Sequence, residues 1–274
     1  MPVISTNTAA NTALRYLNNN SAAQSESLAK LSSGSRIVSA KDDASGLAIA
    51  TSMNADISAL NQAATNVTSG TSVLNTADGA LSNIADILQR MNALTAQAQS
   101  GSSSDDDLSY ISAEYSQLTA EIDDIATTTT FNGVALLDGT SSYSAGVDFM
   151  VGASSSDVIT VTLDGADSAT LGLTTTAITD AATASTAMDE IDSAITTISE
   201  MRANVGASLS RFEFRGDVIS TSLENLQAAE SSISDVDIAS EQTNFTNYQT
   251  LTSAAISALS QANSMSQSLL KLLQ

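Results

Sequence analysis

The stretch from Gln242 to Leu270 contains no charged side chain. Sampled at alternating steps of four and three it gives Leu251, Ala255, Ala258, Ala262, Met265, Leu269 and Leu272, all apolar, which is the a/d seam of a coiled-coil helix. Ile256, Leu259 and Leu270 widen the stripe, and Ser, Thr, Asn and Gln fill the remaining faces. A helix that meets water normally shows a charged back, and this one does not. Its seam needs a partner helix and its neutral back needs cover. Other copies of the same chain are the expected source of both.

The first segment has the same design in weaker form. Val3, Asn7, Ala10, Leu14, Leu17, Ser21, Gln24, Leu28 and Leu31 keep the a/d rhythm, with polar residues interspersed. Ser, Thr and Asn are middling helix formers, so both ends are expected to be unstructured in a free monomer and to order on association. The expected polymerisation interface is Leu14, Leu17, Leu28 and Leu31 at one end. At the other it is Leu251, Ala255, Ala258, Leu259, Ala262, Met265, Leu269 and Leu272.

Charge is distributed to match. The net charge is −21, yet residues 1–56 balance Arg15, Lys30, Arg36 and Lys41 against Glu26, Asp42, Asp43 and Asp56, and residues 242–274 hold only Lys271. The whole acid excess therefore falls in 57–241. Charge is costly to bury and easily solvated, so the ends are built to be covered and the middle to face water. The acidity argues against nucleic acid or an anionic membrane as a partner, and no apolar run is long enough for membrane insertion. The opening MPVISTNTAA lacks the basic and apolar regions of a cleaved secretory signal.

Between the ends, Leu60, Ala63, Val67, Gly70, Leu74, Ala77, Leu81, Ile84, Leu88, Met91, Thr95 and Ala98 hold heptad spacing, predicting one helix over about 43–99. Ser39-x-x-Asp42 reads as the capping box that opens it. Leu108, Ile111, Tyr115, Leu118, Ile122 and Ile125 predict a second helix over 107–126, behind an aspartate triplet that suits a helix N-terminus better than a calcium loop. Ile191 through Ile233 predict a third over 186–233. Residues 127–179 differ: Asn132-Gly133 sits in a hairpin of Phe131–Leu137, and Val147/Phe149/Val151 and Ile159/Val161/Leu163 alternate as strands do. The expected fold is mainly α: long heptad helices in a three-helix bundle, a terminal coiled-coil pair and a small β-hairpin insertion. The expected domains are 1–41 with 235–274 (terminal pair), 42–130 with 180–234 (bundle) and 131–179 (hairpin or variable region).

Leu31-Ser-Ser-Gly-Ser-Arg-Ile-Val-Ser-Ala-Lys-Asp-Asp-Ala-Ser-Gly-Leu-Ala-Ile closely resembles the N-terminal signature of bacterial flagellin, as do Phe131–Gly139 and Phe149–Gly152. Arg202–Ala207, Glu224–Glu241, Gln261-Ala-Asn and the closing Leu-Leu-Lys-Leu-Leu are similar to that family's C-terminal motifs. The resemblance implies a filament subunit of the bacterial flagellum, extracellular, exported without a cleaved signal through the hollow core. It implies terminal helices in an inner tube and the bundle in an outer tube. Its partners would be other copies of itself, an export chaperone on the C-terminal segment, and filament cap and junction proteins. It also implies an innate immune receptor surface, of which Arg90, Leu94 and Glu114 match three positions, while Asn92 and Ala93 replace the charged residues usual in recognised forms.

No enzyme is expected. The chain has no His and no Cys, which removes the usual zinc ligands and the His-based triads. No catalytic, cofactor-binding or metal residues are assigned. A hook–filament junction protein and a secreted coiled-coil adhesin are the alternative readings.

Overall fold

The computed structural model describes residues 6–100, 104–175 and 177–272, with side chains described as far as Ser268. Its elements in chain order are α1 (Thr8–Ser33), α2 (Ala44–Gln99), α3 (Asp105–Thr128), β1 (Thr130–Phe131), β2 (Val134–Ala135), α4 (Ser142–Ala145), β3 (Val147–Met150), β4 (Val158–Val161), α5 (Ala181–Ser234) and α6 (Ile238–Leu272). They gather into two compact units. One is built from the two ends of the chain, as far as Ile57 and from Glu224 onward, and the other is Ser58–Leu223. The mainly α class and the β insertion are as the sequence predicts.

The 58–223 unit holds nearly all of the core. Every α2 position in the heptad reading from Leu60 to Ala98 is buried. Ile111, Tyr115, Ile122 and Ala126 on α3 and Ile191, Ile198, Val205, Phe212 and Ile219 on α5 are buried too. The α2 and α5 segments run antiparallel, as polar pairs along their edges record: Asn92 Nδ2 donates to Asp192 at 2.9 Å, and Arg202 Nε to Asp78 at 2.9 Å. α3 starts with a true capping box, Ser104 and Asp107 bonding each other's backbone N–H.

The β segment forms two antiparallel ribbons. β1 and β2 are joined by Asn132 and Gly133, at φ 51° and 78°, the left-handed pair that a two-residue turn requires. β3 and β4 pair Val147 with Val161 and Phe149 with Ile159. Phe149 packs edge-on against Phe212 of α5, with ring centroids 5.6 Å apart. Asn66 Nδ2 on α2 donates to the Met150 carbonyl at 2.9 Å, and Arg215 on α5 meets Asp157 at 3.1 Å. Gly70 makes this packing achievable, because a Cβ there would lie 2.7 Å from the Phe212 ring and 3.3 Å from Phe149. Alanine in a helix interior ordinarily gains about 1 kcal/mol over glycine. Here overpacking of about 1–3 kcal/mol opposes it, because the buried ring has nowhere to move. Gly70→Ala is therefore expected to lower the melting temperature, and a rise would contradict this packing.

The 164–180 loop has no periodicity, yet it buries Ala166, Leu171, Leu173 and Ile178. Side chains of the bundle hold it. Asp123 accepts from Ser168 N–H at 2.7 Å, Ser112 Oγ accepts from Ile178 N–H at 3.1 Å, and Glu190 accepts from Thr174 and Thr175. Burial tends to raise the Glu190 pKa, but these bonds outweigh it and leave the carboxyl below its ordinary value. Tyr115 next to it is pushed up to about 12, mainly by burial and also by the Glu190 charge.

One boundary differs from the sequence reading. Asp42 does bond back to the Ser39 N–H at 3.0 Å, but Ser39 offers no bond to the helix. α2 begins at Ala44, and Asp43 caps it by accepting from Gly46 N–H at 2.8 Å. With consecutive aspartates available, the second lies nearer the first turn and takes the cap, while the first closes the preceding turn.

Candidate functional site

In the terminal unit α1 and α6 lie antiparallel along one another. Asn7 Nδ2 donates to the Ala262 carbonyl at 3.0 Å and to Ser266 Oγ at 2.8 Å, while at the other end Ser27 Oγ donates to Glu241. Asn7 also caps α1, accepting from Ala10 N–H at 3.0 Å. The ends that the sequence leaves unstructured in a free chain are thus a helix pair in this structure. The face α1 turns inward is made mostly of small and polar residues, Ala10, Ala13, Asn20, Ala23, Gln24 and Ser27, with Leu17 among them. Thr252, Ala255, Leu259 and Ala262 meet it from α6.

This corrects the heptad assignment. Ala255 is not free for another chain, because it is buried inside the pair. Leu17, Leu31, Leu259 and Ala262 are half-buried there. Leu14, Leu28, Leu251 and Met265 point away from it, 45%, 54%, 49% and 60% exposed, and Ala258 is exposed as well. The side chains of Leu269 and Leu272 lie outside the described residues, as does Val3. Tyr16, Ile49, Ile238 and Ile256 add to the exposed apolar surface. Of these, Tyr16 and Ile238 fall off the four–three rhythm, which is why spacing alone does not find them. Among the described residues of this unit the only buried apolar side chains are Ile37, Ala50 and Ala255. With so little core the unit leaves its large residues uncovered, and α6 carries no charge from Gln242 to Leu270.

Where the chain leaves the pair, the segments after α1 and before α6 are bonded to each other. Gly34 closes α1 in the left-handed conformation at φ 72°, with its N–H on the Lys30 carbonyl at 2.9 Å. An antiparallel bridge joins Ser35 and Asp235, with Arg36 N–H donating to Ser234 O at 2.6 Å and Val236 N–H to Gly34 O at 3.0 Å. The Arg36 guanidinium donates to the Ile233 carbonyl at 2.8 Å. Much of the segment 31–49 that resembles the flagellin signature is spent on this clasp and the Asp43 cap.

Charge near the clasp is locally arranged. Lys30 Nζ lies 3.0 Å from Glu26. The Glu26 carboxylate raises the Lys30 pKa above its ordinary value, burial opposes that, and Glu26, Glu241 and Asp42 add further attraction. Asp42 is held below its ordinary value, chiefly by the Ser39 N–H. The lysine contribution is thus present at neutral pH and lost only as pH rises through its raised pKa. The Asp42 contribution is lost only as pH falls through its depressed one.

Of the three positions matched to a receptor surface, Arg90 and Glu114 form an exposed ion pair at 2.6 Å. Leu94 is 2% exposed and belongs to the bundle interior. The surface therefore presents the pair without the leucine.

Two family models match the chain: the bacterial flagellin N-terminal helical region over residues 4–142 and the C-terminal helical region over 188–273. The flagellar filament 33 kDa core protein of Treponema phagedenis is 37% identical over 99% of this chain and 100% of its own length. The flagellin of Bacillus subtilis is 37% identical over 99% of each. Among solved structures, the Bacillus cereus flagellin crystal structure is 34% identical, with a TM-score of 0.51, covering 61% of this chain and 94% of that one.

Proposed function

Because the chain belongs to the bacterial flagellin family, we propose that it acts as a structural subunit that self-assembles into the filament of a flagellum, the propeller of motility, outside the cell. Relatives matched along nearly their whole length are named as flagellins and filament core proteins, which favours the filament over a hook–filament junction or an adhesin. The family is one of structural proteins, and no catalytic role is assigned to any residue.

One observation supports the assembly mechanism above all. The α1–α6 pair leaves Leu14, Leu28, Leu251, Ile256 and Met265 uncovered on faces that hold almost no charge. Covering the exposed half of a side chain of that size is worth roughly 1 kcal/mol, and a second copy brings the same faces. In this reading 1–41 and 235–274 line an inner tube, 42–130 and 180–234 an outer tube, and 131–179 lies on the outer part. The same uncovered face of α6 suits an export chaperone before assembly, and the filament end suits cap and junction proteins. Electron microscopy of purified protein added to filament seeds is the direct test: fibres that grow from the seeds are expected, and protein that stays monomeric at high concentration would overturn the proposal.

Each copy adds a net charge of −21, with the whole acid excess in 57–241. Like charges repel across the growing polymer and are screened beyond about 10 Å at 0.1 M salt, against about 30 Å at 0.01 M. Seeded growth is expected to be slower at 0.01 M than at 0.1 M salt. Turbidity traces that do not change with salt would count against an outward-facing acidic middle.

A further inference from the structure

If the terminal pair is sheltered by other copies, its few charges must be satisfied there. They are Arg15, Glu26 and Lys30 on α1, and Glu241 and Lys271 on α6. Lys30 is matched with Glu26 at 3.0 Å. Glu241 receives Ser27 Oγ, from a residue that is itself buried, and Asn244 Nδ2 at 3.4 Å, but no cation contacts it among the described residues. Beside it a cavity of about 150 Å³ opens between the two helices, lined by Glu26, Ser27, Lys30, Glu241, Asn244 and Tyr248. The cavity carries one surplus negative charge.

Arg15 is the complementary surplus. It is exposed, lies 5.8 Å from the ring of its neighbour Tyr16, and makes no ion pair among the described residues. It cannot fill the cavity of its own chain. Glu26 stands eleven positions further along the same helix, about 16 Å at 1.5 Å per residue, beyond the reach of an arginine side chain. A polymer of identical copies resolves this by heterologous contact, where one copy's patch meets a different patch on the next.

We infer that the cavity between α1 and α6 is a socket for the Arg15 guanidinium of a neighbouring copy. This deepens the assembly reading and rests on it. Glu241 offers the carboxylate, the Asn244 amide oxygen offers a further acceptor, and Tyr248 offers a ring face. Together they suit a planar cation with several donors better than they suit a lysine. The contact removes one buried anion and one buried cation at a time and fixes which copy meets which. Uncharged seams cannot do that as sharply, because apolar stripes slide.

The test is a charge-removal cycle in seeded growth of the full-length chain, with Arg15→Gln, Glu241→Gln and the double variant, on wild-type seeds. Each single variant strands one charge in the sheltered interface and is expected to slow elongation by about tenfold or more. The double variant removes both partners and strands no charge beyond those of wild type, since Glu26 and Lys30 stay matched and Lys271 is unchanged, and is expected to recover to within about threefold of wild type. Circular dichroism of each monomer checks that the helix pair still forms. Single variants that grow at the wild-type rate, or a double variant slower than either single, would overturn the socket while leaving assembly itself intact. Wild type that fails to elongate would instead overturn the assembly reading. A Lys271→Gln arm identifies the cation: recovery of Glu241→Gln by that change, and not by Arg15→Gln, would reject Arg15 as the occupant.

Discussion

A chain ending at Thr250 is expected to form no filaments while its 58–223 unit stays folded. The cut removes Leu251, Ile256 and Met265, all exposed on α6, and with them the seam residues Ala255, Leu259 and Ala262 that hold α1 against α6. Full burial of such a side chain is worth roughly 1.5–3 kcal/mol and about half of each is still exposed, so the three alone forfeit about 2–4 kcal/mol of association per copy, on the order of a hundredfold in affinity. The bundle loses nothing directly, because its core from Leu60 to Ile219 lies in the other unit. Two measurements check this. Electron microscopy should show no fibres from seeds, and thermal unfolding should keep the cooperative transition of the bundle. Fibres from the truncated chain would sink the proposal that the terminal pair drives assembly.

The second large effect is in the bundle. Phe212 is fully buried, packs edge-on against Phe149 and rests on Gly70, so it joins α2, α5 and the β3–β4 ribbon at one point. Phe212→Ala is expected to cost about 3–5 kcal/mol, because a ring-sized void between helices cannot close without moving both. For a unit of this size that corresponds to a fall of about 10 °C in melting temperature. Phe214, two positions on, is 72% exposed, and Phe214→Ala should leave monomer stability within about 0.5 kcal/mol. Equal effects at the two positions would show that α5 faces the core differently from this structure.

The contrast between those phenylalanines explains what could be read from the sequence. Along α2 every position the four–three spacing picks from Leu60 to Ala98 is buried, because a helix enclosed on one face must repeat its core positions with the helical period. The same rule holds only in part on α1, where Asn7, Ala10, Leu17, Gln24 and Leu31 are half-buried. There it selects Leu14 and Leu28, which face outward, while Ala13, Asn20 and Ser27 face α6. Close approach of two helices favours small side chains, so the residues that make the intrachain contact are the ones hydrophobicity passes over. Several of the larger ones, Leu14, Leu28, Leu251 and Met265 among them, stay uncovered. The pairing of the two ends was therefore legible but the directions their side chains take were not, and the Glu241 cavity was not legible at all. It depends on which residues of α6 lie opposite Ser27, and no local pattern fixes that register. The 164–180 loop was equally opaque, since Leu171, Leu173 and Ile178 are held by polar side chains of the bundle and not by a repeat of their own.

The bond from Asn7 to Ala262 spans 255 positions. Contacts this remote in sequence carry a loop-closure cost that no local structure offsets, so they form late. A chain synthesised from its N-terminus cannot join α1 to α6 until its last residues have emerged. The surface that the α1–α6 pair presents is thus completed only after the whole chain has been made, and the order in which the polypeptide emerges delays its appearance.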